Sequence, residues 1–240
     1  MLVLILTATF AQQPTCLDEG AALAEATARA EALDSRSAVA LLDTPTLRGC
    51  AGAEIATLYL KGLQAARDAS RRGGDPTSLE PVRDAIARLT VHAGGAPGPA
   101  DIARLVLLAA AAAAQSERDE MGVFLEHAVA AEALQLGARE PGAPVITAHE
   151  VSGDLWLQVH QYERARLAYM RAVEQVGAKP RLTLGLARAA VRLKEAATAC
   201  AEYRTLLKRW HWAADGPTEI AEARRYLRQR LCGLPKNAPR

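Results

Sequence analysis

Hydrophobic positions along this chain recur at three- and four-residue steps, the spacing of one face of an α-helix and not the alternation of a strand. From 17 to 43, Ala21, Leu23, Ala24, Ala28 and Leu33 keep that spacing until Asp34-Ser35 interrupts it and Thr44-Pro45 ends it. A second helix is predicted from about Ala51 to Arg72, with Ile55, Leu58, Tyr59, Gly62, Leu63 and Ala66 as its stripe. Gly73-Gly74-Asp75-Pro76 stops it, and Thr77 or Ser78 caps a third helix carrying Val82, Ile86 and Leu89. Residues 16–92 therefore read as N-terminal helical hairpins, and 93–99 as a Gly/Pro linker, because glycine and proline together deny both helix and strand. Beyond it Asp101 is the expected cap of a helix through Leu105, Leu107, Leu108 and the run Ala109 to Ala114, whose apolar part is too short to cross a bilayer. Its expected partner, 118–137, bears Met121, Phe124, Leu125, Ala128 and Leu134, and a second loop follows around Pro141.

Laying 147–179 over 181–213 at an offset of 34 aligns Gly153 with Ala187, Ala165 with Ala199 and Tyr169 with Tyr203. A period of this length, built on a helix-turn-helix, marks a repeat architecture. At Gly153-x-x-Trp156 and then Tyr162-Glu163-x-Ala165-x-x-x-Tyr169-x-x-Ala172 the chain resembles the tetratricopeptide repeat. The second copy has Ala190 in place of Trp156 and Leu206 in place of Ala172, and Pro180 lies on the repeat boundary and does not close the second helix. A weaker copy, offset by about 44, sets Met121, Leu125 and Ala128 against Ala165, Tyr169 and Ala172. The predicted fold is all-α: an α-solenoid of such repeats over 100–213, closed by a capping helix at 217–232 with Ile220, Ala223, Tyr226, Leu227 and Leu231 on its inner face.

Composition agrees: only 4% of the 240 residues are aromatic, few for a sandwich or barrel. Net charge is +2, which argues for neither nucleic acid nor an acidic membrane surface. The distribution is uneven, since residues 179–240 carry 14 basic and 5 acidic side chains. The simplest reading sets Arg224, Arg225, Arg228 and Arg230 on the solvated face of the capping helix, and Trp210 and Trp212 at the core edge beneath it. Residues 1–11, uncharged and apolar before Gln12-Gln13-Pro14, match the core of a secretory signal that lacks its basic leader, with a mature start near Gln12. The alternative is an N-terminal strand or helical turn packed on a cytosolic domain.

Four cysteines allow three connectivities if the chain is exported. Antiparallel hairpins make Cys16 with Cys50 and Cys200 with Cys232 the natural pairs; in a cytosolic chain all four would be reduced thiols. No CxxC spacing supports a metal or dithiol centre. His149-Glu150-Val151-Ser152-Gly153 begins like HExxH but has Gly153 where the second histidine must stand, and neither GxSxG, GxGxxG nor a P-loop occurs. No cofactor is expected. The expected role is non-catalytic, a scaffold or interaction module in the periplasm or outside the cell. The resemblance implies a concave groove that holds a protein or peptide segment, with no nucleic acid and no membrane span. Its expected lining is Arg181, Arg188, Arg192, Asp154, Gln158 and Glu150. The three arginines share a helical stripe, and the offset of 34 sets Asp154 beside Arg188 and Gln158 beside Arg192, so the same arginines could serve only to tie repeats together. A small-molecule binder or enzyme with a site between the two halves, around 92–100, is the competing reading.

Overall fold

The computed structural model describes residues 16–94, 97–136, 145–210 and 217–229, together with Cys232. The apolar start, Gln12, the loop around Pro141, Trp212, Arg230 and Leu231 lie outside the described residues. Among the described residues eleven α-helices follow one another without a strand: α1 (Glu19–Glu31), α2 (Ser35–Leu42), α3 (Ala51–Arg71), α4 (Glu80–His92), α5 (Pro99–Ala114), α6 (Arg118–Leu136), α7 (Ala148–Gln158), α8 (Tyr162–Val176), α9 (Pro180–Arg192), α10 (Ala196–Arg209) and α11 (Thr218–Gln229). Helices adjacent in sequence pack as pairs, and α3 with α5 and α8 with α9 join one pair to the next.

The turns inside four pairs share one geometry. Leu33, Ser116, His160 and Lys194 take positive φ of 64–67°. In each case the next backbone N–H donates to a carbonyl five residues back: Asp34 to Arg29, Glu117 to Ala112, Gln161 to Trp156 and Glu195 to Ala190, all at 2.9 Å. This is a Schellman closure, which satisfies carbonyls that the end of a helix leaves without partners. No glycine marks these four positions.

Buried side chains from Ala26 to Val159 form one continuous cluster, so the core is shared by the helices before and after the Gly/Pro segment. Asp101 is not the cap of α5. It lies at the third helical position, where its carboxylate accepts the Gly98 N–H at 3.2 Å. The alanines of α5 are buried and let its neighbours come close. Two smaller clusters continue the core around the fully buried Tyr169 and around Tyr203, the latter including Ile220 of α11, with the partly buried Trp210 packed against it. A Cβ at Gly153 or at Gly185 would overlap the Tyr169 ring, so α7 and α9 close on one tyrosine from both sides. Cys16 pairs with Cys50 and Cys200 with Cys232, each with Cα atoms 5.7 Å apart. No described helix is long and apolar enough to cross a membrane.

Candidate functional site

A cavity of about 810 Å³ opens where α7, α9 and α11 face α3 and the turn after α1. Six arginines line it, Arg67 and Arg71 from α3, Arg181, Arg188 and Arg192 from α9 and Arg225 from α11, against three carboxylates, Asp154, Glu219 and Glu222. Leu33 borders it from the N-terminal side, and close by Lys179 Nζ stands 2.6 Å from Glu31 Oε1, tying the end of α1 to the start of α9.

Two tyrosine-anchored ion-pair centres organise the floor. Asp154 accepts from Tyr169 Oη at 2.7 Å and from Arg67 Nη2 at 3.1 Å, and it also pairs with Arg181. Burial alone would push its carboxyl up; the Arg181 and Arg67 guanidiniums and the Tyr169 hydroxyl outweigh burial and hold it below the ordinary carboxylate range. The second centre uses the same design. Glu222 accepts from Arg188 Nη2 at 2.6 Å, from Arg188 Nε at 3.1 Å and from Tyr203 Oη at 2.7 Å. Here too burial would raise the carboxyl, and Arg188 and Tyr203 more than offset it. Tyr169 is pushed well above its usual range, first by burial and then by the Asp154 charge.

The expected lining residues do not act as one set. Arg181 is 6% exposed and is a buried strut on Asp154, not a free cation. Asp154 does not bond Arg188, because Arg67, Arg181 and Tyr169 already occupy its short carboxylate; Arg188 reaches on to Glu222, a further 34 residues along. Gln158 lines the cavity with a buried Nε2 that has no hydrogen-bond partner among the described residues. Arg192 is exposed at the rim, with its guanidinium 6.0 Å from the centre of the Tyr162 ring. Glu150 is fully buried and is not part of the lining. Lys179 Nζ stands 2.9 Å from its Oε1, yet neither oxygen receives a well-directed hydrogen bond among the described residues.

Sequence reasoning missed Arg67, Arg71, Arg225, Glu219 and Glu222. Asp154, Arg188 and Glu222 stand at successive steps of 34, so extending the period into the capping helix would have found Glu222. Arg67 and Arg71 carry no such signal, since only the tertiary fold brings α3 to α9. The cavity does join the two halves of the chain, but residues 92–100 do not line it. No group of three His, Cys, Asp or Glu side chains among the described residues could hold a metal ion. Compared with protein-family models, curated proteins and solved structures, the chain matches none.

Proposed function

We propose that this chain is a non-catalytic binding module, a solenoid of tetratricopeptide-like hairpins capped by α11, that holds an acidic partner segment in the arginine-lined cavity. The recurring turn after Leu33, Ser116, His160 and Lys194 and the Gly153–Tyr169 contact support the repeat reading. Two bridged cysteine pairs suit an oxidising compartment, such as the periplasm or the cell exterior.

The observation that carries the binding role is the surplus of guanidiniums over carboxylates. Asp154 neutralises Arg67 and Arg181 in part and Glu222 neutralises Arg188, while Arg192 and Arg225 have no ion-pair partner among the described residues. Exposed arginines that line a cavity present planar donor forks to carboxylates. Reversing Arg181 cannot test this, because it would set a carboxylate against Asp154 in the core. Arg192→Glu with Arg225→Glu is the informative variant. Fluorescein-labelled hexaglutamate should bind the native chain by anisotropy, weaken with added salt and bind the double variant at least tenfold less, with the melting temperature unchanged. Equal capture by both proteins, or no capture of hexaglutamate, would refute the assignment.

One observation favours a second reading, a small anion as ligand: six guanidiniums line the cavity against three carboxylates. A melting temperature raised by citrate, without capture of hexaglutamate, selects that reading.

A further inference from the structure

A second cavity, of about 320 Å³, lies between α6, α7 and α8. His149, Ser152 and Trp156 of α7 line it, and at 100° per residue their stripe is centred roughly 160° from that of Asp154, Leu157 and Gln158. It therefore occupies the face of α7 opposite the arginine cavity, and the inference drawn from it stands apart from the function proposed above.

Its floor is polar and buried. Glu132, 4% exposed, accepts the Ala148 N–H at 2.9 Å and stands 2.9 Å from His149 Nδ1. With the Glu132 carboxylate as acceptor Nδ1 donates, and in that tautomer Nε2 is an acceptor. His149 and Ser152 are 7% and 8% exposed, and neither Nε2 nor the serine hydroxyl has a hydrogen-bond partner among the described residues. The two side chains line the cavity and neither of these atoms is sealed from it, so both can meet a polar group of a ligand. The serine is not bonded to the imidazole, and the backbone N–H groups around it are engaged within α7, so the geometry favours holding a ligand over attacking one.

The walls supply the rest of the recognition. Trp156, Leu125 and Val129 are apolar, while at the mouth Arg164 and Arg171 face a single carboxylate, Glu126. None of these three charges has an ion-pair partner among the described residues, and the Arg164 guanidinium lies 4.8 Å from the centre of the Trp156 ring. We propose that this cavity binds a small aromatic acid carrying one O–H or N–H donor. Its ring lies against Trp156, its donor reaches His149 Nε2, and its carboxylate meets Arg164 and Arg171 at the mouth.

Replacing His149 could unfold α7, so the test varies the ligand. Calorimetric titration of the full chain with 4-hydroxyphenylacetate should give saturable binding, phenylacetate should bind at least tenfold more weakly, and tyramine should not bind. Arg164→Gln with Arg171→Gln should weaken 4-hydroxyphenylacetate at least tenfold with no change in the melting temperature of the free protein. Arg192→Glu with Arg225→Glu should leave its affinity unchanged. Equal affinity for phenylacetate overturns the histidine contact. Binding insensitive to the Arg164 and Arg171 pair, or no binding of 4-hydroxyphenylacetate at millimolar concentration, overturns the site.

Discussion

Asp154 and Glu150 stand one turn apart on α7, and their surroundings drive their ionisation in opposite directions. For Asp154 two guanidiniums and a phenol win over burial, so the folded carboxyl titrates below the unfolded one. Stability from this group is present above the unfolded value of about 3.9 and is lost as pH falls through the lower folded value. For Glu150 burial wins over Lys179 and Arg181, so its folded carboxyl titrates above the unfolded one, and ionising it at neutral pH lowers stability. Asp154→Asn should therefore cost roughly 3–5 kcal/mol at pH 7, because it leaves the buried Arg181 without its counter-charge. It should also flatten the acid limb of the urea midpoint below about pH 4. Glu150→Gln should leave the midpoint at pH 7 unchanged or raise it. Equal losses from both substitutions would contradict this assignment.

At the scale of the element the recurring turn is the informative feature. A residue with a Cβ in the left-handed region costs about 1–2 kcal/mol, of which glycine recovers part and loses some again to chain entropy. Lys194, exposed and at φ 65°, is the clearest site to measure this. Lys194→Gly should raise stability by up to about 1 kcal/mol in urea titration, and Lys194→Val should lower it, since a β-branched residue is poorly accommodated there. The helices themselves were legible from periodicity, and the turns at Ser116, His160 and Lys194 stand 44 and 34 residues apart. The turn conformation was not legible. Leu, Ser, His and Lys carry no positive-φ preference, and it is the packing of the two helices that forces the chain through this region.

At the scale of the molecule the two disulfides tie down the ends of the described chain: Cys16 to the start of α3, and Cys232 to α10 beyond the capping helix. Chain ends fray first unless they are tied down. Each bridge closes a loop of 32–34 residues and should contribute about 2–4 kcal/mol. Replacing either pair with alanine should lower the melting temperature on the order of 5–10 °C, and non-reducing peptide mapping should recover both linked peptides. Free thiols at Cys200 in exported protein would contradict the pairing.

Local pattern determined the all-helical class and the bounds of α3 and α6 to within a residue, because both depend on side-chain spacing along one element, and up-down hairpins made the two observed cysteine pairs the natural ones among three connectivities. Tertiary structure decided what the charged residues do. Arg181 becomes a strut because Asp154 of α7 brings Arg67 of α3 and Arg181 of α9 to one carboxylate, and Glu132 meets His149 because α6 packs on the start of α7. Such pairings join residues 87 and 17 positions apart across separate hairpins. Helical period constrains which face a side chain occupies, but which partner that face meets is settled only when the elements pack.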